Sequence, residues 1–161
     1  LALHQPVAID LRFVIATLKI NNDLERIGDL AMSVARRARY LARQDHVEAP
    51  YDYQDLADKT INMVSDSLDA LVTMDTKLAF AVMEADDEVD ALNREAYNQV
   101  YYGIKTNPEK TEQLINYMNV SRSLERIADY ATNIAEDVIY MIDGKIVRHG
   151  TDFEAGPATN I

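Results

Sequence analysis

Glu25 and Asp29 stand four residues apart, and Glu125 and Asp129 repeat the pair 100 residues later. Each pair sits in the same phrase, Leu24-Glu25-Arg26-Ile27-Gly28-Asp29 and Leu124-Glu125-Arg126-Ile127-Ala128-Asp129. On a helix that spacing stacks two carboxylates one turn apart, where their repulsion costs only about 0.2–0.5 kcal/mol on an exposed face. Two stacked carboxylates form an oxygen-only claw, which suits Mg²⁺, Mn²⁺ or an iron cluster better than a soft metal. One such pair alone is more often a solvated helix face; its duplication at a fixed offset strengthens the metal reading.

Asp86 and Asp90 have the same spacing and flank an apolar seam at Ala85 and Val89. On a helix running beside the second phrase they could point towards Glu125 and Asp129. Four carboxylates gathered in this way either raise one another's pKa values or recruit a cation. The competing reading is a solubilising edge, with Arg26 and Arg126 neutralising their own acids.

The elements that must carry these pairs are long helices. Phe13, Thr17, Ile20, Leu24, Ile27, Ala31, Val34, Ala38 and Leu41 form one stripe in alternating steps of four and three. Tyr117, Val120, Leu124, Ile127, Ala131, Ile134, Val138 and Met141 form its counterpart. Such alternation is the seam of an antiparallel helical bundle. Downstream of the phrases the register holds, with Val34 answering Ile134 and Ala35 answering Ala135.

Residues 1–4 read as the end of an element, and Pro6 suits a first helical position, with Asp10 favoured by the dipole. A helix is expected over 7–45. In its first half Leu11, Ile15 and Leu18 fall in line with Asn22, Glu25 and Asp29, so this helix is apolar on two sides and expects neighbours on both. The stretch His46-Val47-Glu48-Ala49-Pro50 reads as a linker. A second helix over 53–73 has its seam at Ala57, Ile61, Val64, Leu68 and Leu71. Asp75 is the expected N-cap of a third, with its seam at Leu78, Val82, Ala85, Val89, Leu92 and Ala96, ending near Gly103. Asn107-Pro108-Glu109 is a cap, a first-turn proline and an acid in the favoured order, and Asp143-Gly144 closes the fourth helix. Residues 52–143 therefore suffice for a three-helix antiparallel bundle, and 7–45 match only its third member. The expected division is 1–49, the third helix of an incomplete first repeat plus a linker; 50–145, a complete repeat; and 146–161, a frayed tail.

Composition narrows the function. The 161 residues carry 27 acidic and 16 basic side chains, a net charge of −11. That balance opposes direct binding to nucleic acid or anionic lipid and favours a cation or a protein as ligand. No cysteine is present, so disulfides and thiolate sites are excluded. No apolar run approaches a membrane span and no secretory signal is visible, so a soluble cytoplasmic protein is expected. A carboxylate-bridged di-metal enzyme would need Glu-x-x-His, and none of His4, His46 or His149 has a glutamate three residues before it. A glycine-rich phosphate loop is absent, and the serines lack a nearby histidine base. The nine tyrosines are expected to pack at helix ends. Arg36, Arg37, Arg39 and Arg43 form the one basic patch, read as a solvated helix end that suits the dipole or as a dock for an acidic partner.

Together these features resemble the PhoU family, phosphate-uptake regulators built from two three-helix repeats. The likeness rests on Gln5-Pro6-Val7-Ala8-Ile9-Asp10-Leu11-Arg12 followed by the first phrase, on Ala85-Asp86-x-x-Val89-Asp90, on the second phrase, and on Gly144-x-x-x-Arg148-His149. The resemblance implies an all-α fold of spectrin-like three-helix repeats, the first represented only by its third helix. It implies metal binding, by iron, zinc, manganese or magnesium, through Glu25, Asp29, Asp86, Asp90, Glu125 and Asp129. It implies a non-enzymatic negative regulator of the phosphate-starvation response, linking the ATPase of a phosphate ABC transporter to a phosphate sensor histidine kinase. A homodimer that reaches the membrane only through these partners is also implied. The acids that would face Glu25 and Asp29 belong to the missing helices. A metal-free helical adaptor is the remaining alternative.

Overall fold

The computed structural model describes residues 8–44 and 48–144. Helix α1 spans Ala8–Leu41, α2 Tyr53–Thr73, α3 Thr76–Thr106 and α4 Thr111–Asp143, with a 3₁₀ turn at Pro108–Lys110. The expectations for residues 1–4, Pro6, His46 and the tail 146–161, including Arg148 and His149, lie outside the described residues.

The helix ends follow from local chemistry. Asp52 accepts from the Gln54 N–H at 3.0 Å, and Asp75 accepts from the N–H groups of Lys77 and Leu78 at 2.9 and 3.2 Å, each satisfying an orphan donor of a first turn. Gly144, at φ 68°, closes α4 with its N–H on the Tyr140 carbonyl. Asn107 does not cap α4 as the sequence suggested. Lys110 N–H bonds back to the Asn107 carbonyl at 3.0 Å, so the proline is spent on a 3₁₀ turn and α4 starts at Thr111. Helix α1 stops at Leu41 rather than Asp45, tightening into three-residue bonds at Arg43 and Gln44.

Helix α4 is the hub. It packs against α1, α2 and α3, α2 and α3 also pack on each other, and among the described residues α1 meets no helix but α4. The contacts Lys19–Asp137, Arg37–Asn116 and Tyr40–Glu112 run in opposite directions along the two helices, so α1 and α4 are antiparallel. The same contacts bring the two phrases to one level of the joint. The core gathers Leu56, Met63, Ala79, Val89, Ile134, Val138 and Ile139 from α2, α3 and α4, with Ala16 and Ile20 from α1.

Every residue of the expected α4 stripe is buried or half-buried, and Val82, Val89 and Ala96 of α3 are buried as expected. Two seams are corrected. In α2 the most deeply buried line is Leu56, Thr60, Met63, Ser67 and Ala70, one residue before each expected position; Ala57, Val64, Leu68 and Leu71 of the expected seam are half-buried beside it, and Ile61 is 63% exposed. Thr60 and Ser67 can occupy the core because their hydroxyls donate to the Leu56 and Val64 carbonyls of their own helix, a satisfaction that hydropathy does not show. In α1 Ile20, Ile27 and Val34 face α4, whereas Phe13, Leu24, Ala31 and Ala38 are exposed. A helix with one partner buries one narrow line, and the broader stripe suits a helix with two or more. Among the described residues no helix is long and apolar enough to cross a membrane.

Candidate metal centre

The register of α3 against α4 places the acids. Ser121 Oγ donates to Asn93 Oδ1 at 2.6 Å, and from that tie the antiparallel helices carry Asp90 and Asp86 back past Glu125 and Asp129. Asp86 is buried, Asp90 and Glu125 are half-buried, and Asp129 lies at the exposed rim. The carboxyl of Glu125 is held above the ordinary glutamate range by burial, then by the charges of Asp129, Asp90 and Asp86, against a smaller opposing pull from Arg122. Desolvation and Asp90 likewise raise Asp129, and Arg126 opposes them. The arginine beside this phrase therefore weakens the acidic field without cancelling it. Arg94 reaches Asp90 at 3.6 Å along the same helix, a long and exposed contact of little worth.

These four carboxyls share a field but do not form a finished cage. Among the described residues no three histidine or acidic side chains converge closely enough to hold an ion. The donor set itself, four carboxylates and no sulfur or imidazole, fits a hard cation.

Glu25 and Asp29 are treated differently. Both are exposed, and since α1 packs on α4 alone, no described helix brings facing acids to them. Gly28 also looks onto open space, with nothing within 4 Å of where a Cβ would stand.

Two features escaped sequence reasoning. Asp137 is buried on the α4 core line and is met by Lys19 Nζ from α1 at 2.9 Å. Nearby Asp23 is raised by desolvation and by the Asp137 charge, with Lys19 opposing. The signal was an acid in the apolar run Ile134, Val138, Met141; its partner lies 118 residues away. The second is a cleft of about 500 Å³ lined by Ala38, Leu41, Ala42, Gln44, Tyr53, Tyr117 and Val120. The Tyr53 and Tyr117 rings lie 5.4 Å apart, the buried Tyr53 hydroxyl has no hydrogen-bond partner, and burial drives it well above the usual phenol range.

Comparison with known proteins agrees with this architecture. The PhoU domain model matches residues 1–38 and 53–138. The phosphate-specific transport system accessory protein PhoU homologue of Clostridium acetobutylicum is 37% identical over 148 residues, 91% of this chain and 68% of that protein. That of Pseudomonas aeruginosa is 40% identical over 152 residues, 92% of this chain and 62% of that protein. The crystal structure of PhoU from P. aeruginosa superposes with a TM-score of 0.84 at 39% identity, covering 89% of this chain and 69% of that one. The phosphate transport system regulatory protein PhoU from Streptococcus pneumoniae gives 0.75 at 28% identity, covering 89% and 68%. The chain spans 59% of the length of the Pseudomonas putida relative and 68% of the clostridial one. A domain match over most of its length, on a fold shared with two solved members, means that this chain belongs to the PhoU family.

Proposed function

We propose that this chain takes part in regulating phosphate uptake, and that it does so by contact rather than by catalysis. The observation that carries the reading is its family, whose relatives bear the name phosphate-specific transport system accessory protein. In its finer form the protein, in the cytoplasm and as a homodimer, holds down the phosphate-starvation response by joining the ATPase of a phosphate ABC transporter to a phosphate sensor histidine kinase. A net charge of −11 supports protein partners over nucleic acid or lipid.

The same reading gives the second repeat a metal, iron, zinc, manganese or magnesium, on Asp86, Asp90, Glu125 and Asp129. What supports it is a shared acidic field that a cation relieves. Glu25 and Asp29 join a second such site only where another element supplies facing acids.

Co-purification with the transporter ATPase and with the sensor kinase tests the regulatory role; failure to retain either removes it. Metal analysis after reconstitution with each ion tests the centre. Bound metal in the parent and none in Glu125→Gln/Asp129→Asn is expected. Equal metal in both, or none in either, returns the protein to a metal-free adaptor. Oxygen consumption with Fe²⁺ is the assay for the di-metal enzyme alternative, and none is expected.

A further inference from the structure

Three tyrosines of α3 stand largely in solvent: Tyr97, Tyr101 and Tyr102 are 57%, 53% and 67% exposed. Two of them belong to a line. At 3.6 residues per turn, Arg94, Tyr97, Tyr101 and Lys105 fall within about 80° of one another, and Lys105 Nζ lies 4.4 Å from the centre of the Tyr101 ring. Tyr102 is turned about 100° from this line.

Helix α4 supplies the other wall of a groove. Ile115, Met118 and Arg122 share one side of it within about 60°; Ile115 and Arg122 are exposed and Met118 half-buried. Arg122 acts on Glu125, as Asp90 of α3 does, so this side of α4 borders α3. Two ties fix the level: the Ser121–Asn93 hydrogen bond, and Leu114, whose methyl carbons lie 3.3 Å from where a Cβ on Gly103 would stand. Tyr97 therefore runs past Met118, and Tyr101 past Leu114 and Ile115.

The two lines continue the acids of the candidate centre, Asp90 into Arg94 and Glu125 into Arg122, with the charge reversed. Residues 113–124 hold Arg122 and no acid, and 94–105 hold one acid, Glu95. Glu95 is turned about 120° from the tyrosine line and accepts from Gln99 at 2.6 Å, while Glu112 is turned to Tyr40 of α1. A chain with a net charge of −11 thus lines one apolar groove with Arg94, Lys105 and Arg122. Single exposed apolar side chains need no partner, and a lysine near a helix C-terminus suits the dipole. Neither accounts for two tyrosines in line with arginines on both walls, and Tyr and Arg are the side chains that anchor interfaces. Among the described residues α3 packs on α2 and α4 and has no contact with α1, so whatever packs on α1 has α4 between it and this groove.

We propose that the groove between α3 and α4 docks an acidic amphipathic helix of a partner protein, its apolar side on Tyr97, Tyr101 and Ile115 and its carboxylates on Arg94, Arg122 and Lys105. Arg94 and Lys105 stand about 16 Å apart along α3, three turns of a helix, and a helix in a groove is held by anchors at such spacing. The acidic surface elsewhere repels the same helix, so charge sets where it lands. The proposal rests on the role by contact proposed above and names the surface and the charge of what meets it.

Fluorescence anisotropy of the whole chain with two labelled helical peptides tests it, one with leucine on one side and glutamate on the other, and one with lysine for glutamate. The glutamate peptide is expected to bind, more weakly as salt rises. Y97S/Y101S and R94E/R122E are each expected to weaken it at least about tenfold, and Tyr102→Ser, off the line, is expected to leave it unchanged. The lysine peptide, drawn to the net negative charge, is expected to ignore Y97S/Y101S. No binding of the glutamate peptide, or binding that both double variants leave intact, overturns the groove. Co-purification with the transporter ATPase and the sensor kinase is the second readout. Partners lost from R94E/R122E support the groove as their dock; partners kept by that variant overturn it and leave the contact role standing. Partners retained by neither variant nor parent remove the regulatory role, and the peptide result then decides the groove alone. Circular dichroism of the variants, altered only at exposed positions, separates lost docking from lost folding.

Discussion

Leu24 is 38% exposed, whereas Leu124, its counterpart in the second copy of the phrase, is 7% exposed. The contrast continues along both helices: Ala31 and Ala35 are exposed, Ala131 and Ala135 buried, and Val34 is half-buried where Ile134 is fully enclosed. Nearly identical sequence thus occupies two environments, because among the described residues α4 is packed by three helices and α1 by one. Periodicity marks a helix and the face that can bury. It does not count the neighbours available to bury it.

Truncating the shared leucine breaks the comparison most sharply. Leu124→Ala is expected to cost about 2–5 kcal/mol, a buried leucine plus the cavity it leaves. Leu24→Ala is expected to cost about 1 kcal/mol or less, as partly exposed positions do. Urea unfolding of both measures the gap, and equal losses would mean that α1 is covered as well as α4. Next comes the joint between the copies. Lys19→Met leaves buried Asp137 without its ammonium and beside Asp23, a loss of about 1–3 kcal/mol, nearer the low end because Lys19 is largely in water. Amide exchange is expected to speed up in α1 first, and Asp137→Asn in the Lys19→Met background is expected to recover part of the loss. A smaller effect has opposite signs in the two phrases. Gly28→Ala is expected to stabilise by about 0.5–1 kcal/mol, since its Cβ meets nothing and a mid-helix glycine costs entropy. Ala128→Gly, at a fully buried position, is expected to destabilise by about 1 kcal/mol. Thermal melts of the two variants decide it.

How much of this was legible in sequence follows from the same contrast. The α4 stripe from Tyr117 to Met141 could be read because most sides of that helix are covered, so a hydropathy stripe and a burial stripe coincide. The α2 line was displaced by one residue because Thr60 and Ser67 bury hydroxyls that bond to their own backbone. The α1 stripe was too broad, since half of it meets no partner among the described residues. At the candidate centre the acidic pairs were visible from spacing alone. Their approach across α3 and α4 was expected too, but its register was not, because that depends on the Asn93–Ser121 tie between helices. Lys19–Asp137, spanning 118 residues, leaves only a polar residue in an apolar run as its trace.

The smallest expected effect asks whether the two acidic pairs differ in field as they do in burial. Glu125 is raised by desolvation first and by Asp129, Asp90 and Asp86 after it, so the folded protein holds its proton more firmly than the unfolded chain does. Stability therefore falls as pH rises from below the ordinary glutamate value through the raised one, and the whole penalty stands at neutral pH. Glu125→Gln removes that penalty. It is expected to raise the neutral-pH stability by a few tenths of a kcal/mol, a figure kept small because the group is partly solvated. The gain shrinks to nothing below the ordinary glutamate pKa, where the parent carboxyl is protonated too. Glu25→Gln, at an exposed position that no described helix faces with acids, is expected to change stability by less than about 0.5 kcal/mol. Added cation sharpens the test by reversing the order at position 125. Ligand that binds only the folded state stabilises it by mass action, so a metal held by these carboxyls is expected to raise the Tm of the parent above that of Glu125→Gln. If the substitution at position 25 gives the larger gain in stability, the strained acidic field belongs to the first copy and the contrast between the two phrases is the reverse of the one drawn.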